Sequence, residues 1–256
     1  MRMRLAVFLA CAICAAPVAA WNEAGHMTAA LIGYDRLPLD DQVAAGRLLR
    51  THPRFHADFE SRLPRSLARA SAARQDRWFF AYAATWPDTA RRFEHERSAA
   101  AREALIARYH HGSWHYINLP IFLRASDADA LRVPAPSMRW SADLADAHLN
   151  LVQALTRLTT KWCAPDQTDA DRAVALTWLL HLIGDVHQPL HATALFAVPL
   201  FPNGDRGGND LAVSGGTNLH ALWDEAIGSD ARPQRLDAMA RDYGRFEAAA
   251  NGADLV

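Results

Sequence analysis

The sequence predicts an all-α fold. Helical periodicity recurs over 22–34, 40–50, 141–159 and 168–186, while alternating strand patterns are scarce. No repeat, low-complexity run or Gly/Ser-rich linker divides the chain after residue 20. Residues 21–256 therefore read as one mainly helical domain with at most a short β-hairpin. Half of the 256 residues are hydrophobic, enough for a substantial core.

The first twenty residues, MRMRLAVFLACAICAAPVAA, have the form of a secretory signal peptide. Arg2 and Arg4 precede an apolar run, and Val18-Ala19-Ala20 offers a small-residue cleavage site. The run is short for a membrane span, and neither Cys11 nor Cys14 follows a lipidation box. Cleavage after Ala20 makes Trp21 the first residue and predicts a secreted or periplasmic protein. Only Cys163 then remains, so the fold must rest on its core, on metals or on both, not on disulfides. With 27 basic and 28 acidic residues the formal net charge is −1, which excludes nucleic-acid binding through bulk positive charge. Any such contact needs metal ions or stacking aromatics.

Of the four helices, the last two carry the clearest start signals. Ser141 and Thr168 can cap free backbone N–H groups, with Asp143, Asp169 and Asp171 in the first turns. Pro189 stops the long helix. The glycine-rich loop over 193–217 is where a short hairpin is expected.

The long helix also carries chemistry. His181 and Asp185 are four apart, on one helical face, and His191 lies just past the Pro189 break. His220 and Asp224 repeat the spacing in NLHALWD. His115 stands in HHGSWHYIN, Asp88 in ATWPDTAR, and Trp21 and His26 at the expected mature start. Taken singly, each histidine reads as a hydrogen-bonded core residue and each pair as an ion pair or cap. Two such pairs in a chain without disulfides favour metal binding. Imidazole and carboxylate suit zinc, and the lack of clustered cysteines points to catalytic sites. Cations would also remove the cost of burying neighbouring carboxylates. His52, His56, His95, His110, His111 and His148 lack a carboxylate partner in a matching pattern, so they are expected at the surface or in the core, His111 being the strongest exception. His187 is expected to support the motif by holding a ligand or a loop carbonyl.

In this order, WNEAGH, ATWPD, WHYIN, HLIGDVHQPLH, GDRGGND and NLHALWD resemble the zinc-dependent single-strand nucleases and 3′-nucleotidases of fungi, plants and bacteria, the S-one and P-one types. The resemblance implies a mainly helical bundle with three zinc ions at the base of a cleft. Asp88, His115, His181 and Asp185 would hold the first, and His191, His220 and Asp224 the second. Trp21, through its α-amine and carbonyl, would hold the third with His26 and Asp185. An α-amine titrates near pH ~8, so zinc can displace its proton at modest cost, and the chelate exists only if Trp21 is the free terminus.

The implied substrates are single-stranded DNA, RNA and 3′-nucleotides, cleaved to 5′-phosphorylated products by metal-activated hydroxide attack in line on phosphorus. Asp88 would orient the attacking water and Arg91 would neutralise a phosphate oxygen. Strand preference would come from stacking on an exposed aromatic, although Trp86, Trp114 and Tyr116 read as packing residues. A monomer without a stable protein partner is expected. The absence of disulfides suggests a bacterial-type member. The tail RLDAMARDYGRFEAAANGADLV lacks the family's glycine-arginine-leucine pattern, so a C-terminally shortened domain, or an inactive metal-binding remnant, is an expectation to weigh. The long interval between Asp88 and His115 reads as an insertion. The nearest rival is a zinc-dependent phospholipase C, disfavoured by the short Trp21–His26 gap and by Asp224 where those enzymes resemble one another in using glutamate. A non-catalytic zinc-binding protein is disfavoured by the lack of histidine-rich tracts.

Overall fold

The structure, a computed structural model, describes residues 21–252; the expected signal peptide at 1–20 lies outside the described residues. Helix α1 (Glu23–Tyr34) starts where the Asn22 side chain accepts from the Gly25 amide at 3.1 Å. Helix α2 (Leu39–Arg50) places Asp40 and Asp41 in its first turn and Arg47 and Arg50 in its last, each suited to that end of the helix dipole. Helix α3 (Ala72–Ala83) is capped by Ser71 and buries Trp78, Phe79 and Phe80. The short α4 (Trp86–Ala90) has Pro87 in its first turn, and α5 (Ala99–Tyr109) packs against it.

A strand, β1 (Leu119–Phe122), and a short helix, α6 (Ala125–Leu131), lead to a correction. The helix expected over 141–159 begins only at α7 (Leu151–Trp162). Asn150 and Gln153 form a capping box, each side chain accepting from the other's amide at 3.1 Å. Ser141 opens a turn instead. Trp114 Nε1 and Ser113 Oγ donate to the carbonyls of Asp146 and Ala147, which holds the upstream stretch out of helix.

Helix α8 (Asp169–Val186) is the axis of the molecule. Thr168 and Asp171 form its capping box, as Thr168 leads one to expect. It packs against α1, α2, α3, α4 and α7. One hydrophobic cluster gathers Met27, Phe59, Phe79 and Trp86; a second gathers Trp114, Leu151, Leu158 and Trp178; Val174 of α8 touches both.

After α9 (Pro189–Ala192), strand β2 (Thr193–Phe196) pairs with β1 in parallel, from Leu119↔Thr193 to Phe122↔Phe196. This pair was not expected, and it matters. It continues into Ile117 N donating to His191 O at 2.7 Å, so it docks the WHYIN segment against PLHA. Strands β3 (Ala212–Val213) and β4 (Thr217–Asn218) form the expected hairpin, turned through Gly215 and Gly216 at positive φ. Helix α10 (Leu219–Asp224) follows, and α11 (Pro233–Gly252) returns to pack on α1. No described helix is long and apolar enough to cross a membrane.

Candidate metal centre

Asp185, fully buried on α8, is the focus of the site. Its Oδ1 lies 3.5 Å from His26 Nε2 and 3.7 Å from His191 Nδ1. Its Oδ2 lies 3.1 Å from His115 Nδ1 and 3.2 Å from His181 Nε2. His26 of α1 stacks on His181 with ring centroids 4.0 Å apart. That approach depends on Gly184, where a Cβ would stand 2.6 Å from His26 Nδ1. Ligand atoms cluster within 4.8 Å in three groups: His26, His181 and Asp185; Asp88, His115 and His181; His191, His220 and Asp224.

The ring anchors fix which nitrogens face inward. His181 Nδ1 meets Ala84 O at 2.7 Å, His220 Nδ1 meets Gly207 O at 2.7 Å, and His191 Nδ1 meets His115 O. A ring N–H donating to a carbonyl leaves the other nitrogen of a neutral imidazole as a lone pair. His191 Nε2 and His220 Nε2 then face each other at 3.2 Å, an arrangement that repels unless a proton or cation lies between. Both ring nitrogens of His26, His115 Nε2, Asp88 Oδ1 and Asp185 Oδ1 are buried without a hydrogen-bond partner. Orphaned nitrogen and carboxylate atoms converging this way fit metal ions, and the donor set suits zinc.

Electrostatics readies two of the perturbed groups for ligation and favours protonation of two others. Burial above all pushes His26 down to about 3 and His191 down to about 4, keeping both neutral and able to ligate. Burial also pushes the Asp224 carboxyl up to about 7. At His181 burial acts downward, but Asp185 and Asp88 outweigh it and carry the ring up to about 9. A bound cation would favour the deprotonated form of both.

Trp21 and Arg91 are the remaining expected residues. Asn22 N donates to Asp224 O at 3.2 Å and Asn22 Nδ2 to Gly228 O at 3.0 Å, which ties the start of α1 to α10. Trp21 precedes that tie and packs over Gly25. Arg91 Nη2 stands 3.4 Å from Asp88 Oδ1. Arg91 borders two cavities. One, of about 230 Å³, is lined by His115, Tyr116, Asn118, His191, Arg206 and Asn209 among others; the second, of about 470 Å³, lies beside Asp88.

Three expectations need correction. His187 is exposed and, among the described residues, its ring hydrogen-bonds Ile183 O of its own helix. The supporting role falls to buried Gln188, whose Nε2 donates to Asp224 Oδ1 at 2.8 Å and whose Oε1 accepts from Leu190 N. His56 does have a helical-spacing partner, Glu60, at the exposed surface. His95 has no helical-spacing partner, as expected; its Nε2 meets Asp58, distant in sequence. Trp86 and Trp114 are buried packing residues as expected, but Tyr116 is 44% exposed beside the smaller cavity.

A family model described as S1/P1 nuclease matches residues 21–251. The chain belongs to the S1/P1 nuclease family. It is similar to Endonuclease 2 of Arabidopsis thaliana, 33% identical over 128 residues, which are 47% of this chain and 39% of that protein. It is also similar to Nuclease S1 of Aspergillus oryzae, 36% identical over 72 residues, 27% of this chain and 22% of that protein. Endonuclease 4 of A. thaliana is 46% identical over 56 residues, 21% of this chain and 16% of that protein. The matches thus span less than half the length of these curated relatives. The S1/P1 match runs from Trp21 and covers every residue of the three clusters described above.

Proposed function

We propose that this S1/P1-family chain is a zinc-dependent phosphodiesterase. It hydrolyses single-stranded DNA and RNA to 5′-phosphorylated products and removes phosphate from 3′-nucleotides. The observation that carries this reading is the pair of inward Nε2 atoms of His191 and His220 at 3.2 Å, beside orphaned atoms grouped on Asp185. Three zinc ions are assigned: one to Asp88, His115, His181 and Asp185; one to His191, His220 and Asp224; one to Trp21, His26 and Asp185. Bound zinc supplies Lewis acidity, making a water acidic near neutrality and taking up charge on phosphoryl oxygens.

The side chains do the rest. Asp88, 27% exposed at the cavity edge, orients the attacking water by accepting a hydrogen bond from it. Arg91 stands beside it and meets the phosphate oxygen that gains charge. Tyr116 offers an exposed ring for a base to stack on. Secretion after cleavage between Ala20 and Trp21 belongs to the same reading, because only a free Trp21 amine can chelate.

The test is turnover by the zinc-loaded mature protein. Single-stranded DNA and 3′-AMP should be cleaved and phosphatidylcholine micelles left intact; the reverse result would transfer the chain to the phospholipases. Adding one residue before Trp21 should cost one zinc and most activity. Retention of both would remove Trp21 from the ligand set.

A further inference from the structure

The cavity of about 470 Å³ beside Asp88 has walls that the proposed hydrolysis does not use. Three guanidiniums border it, those of Arg62, Arg91 and Arg92, with His95 on the same wall. His95 is held there by a buried network. Its Nε2 meets Asp58 Oδ1 at 2.8 Å, and Asp58 is only 1% exposed. The same carboxylate accepts from Arg54 at 3.0 and 2.8 Å and from Trp86 Nε1 at 2.9 Å. Trp86 opens the helical turn that carries Asp88. One buried carboxylate therefore fixes both His95 and the base of Asp88, and so registers the cavity against the metal centre.

Arg91 forms the ridge between this cavity and the smaller one beside His115, His191 and His220. A chain crossing the ridge would pass from one to the other. The acids on the wall are Glu23, Asp88 and Glu94. Glu94 lies 3.0 Å from Arg92, and Asp88 belongs to the metal cluster. With Asp88 given to the metal cluster, three guanidiniums face two carboxylates, Glu23 and Glu94. Arg62 is exposed and Arg92 is 46% exposed, so both forks can reach a ligand. Guanidinium matches phosphate oxygens through paired N–H donors.

We infer that this cavity is a second phosphate subsite, which holds the phosphodiester next to the one being cleaved and so favours strands over mononucleotides. The inference rests on the nuclease reading above.

Binding can be measured without turnover. The probe is a fluorescein-labelled oligothymidylate with phosphorothioate linkages, titrated against the zinc-loaded protein by anisotropy. In Arg62→Gln/Arg92→Gln the dissociation constant should rise about tenfold, and the slope of log affinity against log salt should fall by about one. Replacing single linkages with neutral methylphosphonate should weaken wild-type binding at one position and leave the double variant indifferent to that position. The Arg62→Lys/Arg92→Lys protein should keep most of the salt slope, and matching melting curves exclude misfolding. Unchanged affinity and salt slope in the Gln variant would overturn the subsite, as would a wild-type protein that fails to bind the probe. Binding that depends on Arg62 and Arg92 without cleavage of any strand would keep the subsite and refute the nuclease reading. Cleavage without that dependence would do the opposite.

Discussion

Asp185 meets four imidazoles from four separate segments at 3.1 to 3.7 Å, with no surface open to water. A carboxylate so placed couples whatever the surrounding rings hold. Asp185→Asn should therefore lower the zinc count of the purified protein and cut turnover at least a hundredfold; wild-type zinc content would contradict the bridging role. Gln188 acts one step out, by aiming Asp224. Gln188→Met should weaken zinc at the His191, His220 and Asp224 cluster about 10- to 100-fold in chelator competition, leaving the other ions in place. At this scale the His181/Asp185 and His220/Asp224 pairs were legible, because a spacing of four puts both on one helical face. Gln188 was not, because its partner lies on another helix.

Helix starts show what local signals can and cannot decide. Asn22, expected as the first helical residue, is a cap instead, and Thr168 caps where its sequence says it should. Ser141 does not, because the Asn150/Gln153 box and the Trp114 bond to Asp146 O outweigh an isolated cap. The β1–β2 pair is not legible in the sequence, because parallel pairing of two four-residue strands depends on everything folded between them. The segment around α4 makes a pH prediction. Burial pushes His52 from 6.5 down to about 3. As pH falls below about 6.5 the unfolded chain binds a proton here before the folded chain does, so stability is lost progressively down to about 3. At Asp58 burial alone would raise the carboxyl, but Arg54, Trp86 and His95 together hold it below its ordinary value. Its contribution is present above the ordinary carboxylate range and disappears only as pH falls through the lowered folded value. Melting temperature should thus fall more steeply with acid in wild type than in His52→Asn; equal slopes would contradict a neutral buried ring.

For the whole molecule, two hydrophobic clusters meet along α8, and the three candidate metal clusters lie at the end of that helix. Without cations the folded chain must bring lone pairs and buried carboxylates together unaided. Ligand held at a thousand times its dissociation constant adds about 4 kcal/mol to stability, so stripping zinc with a chelator should lower the melting temperature by roughly 10 °C. The most direct measurement is anomalous diffraction at the zinc edge from crystals of the mature protein. Three peaks are expected, between Asp88, His115, His181 and Asp185, between His191, His220 and Asp224, and between Trp21, His26 and Asp185. Fewer peaks there, or zinc bound only at other residues, would contradict the trinuclear centre.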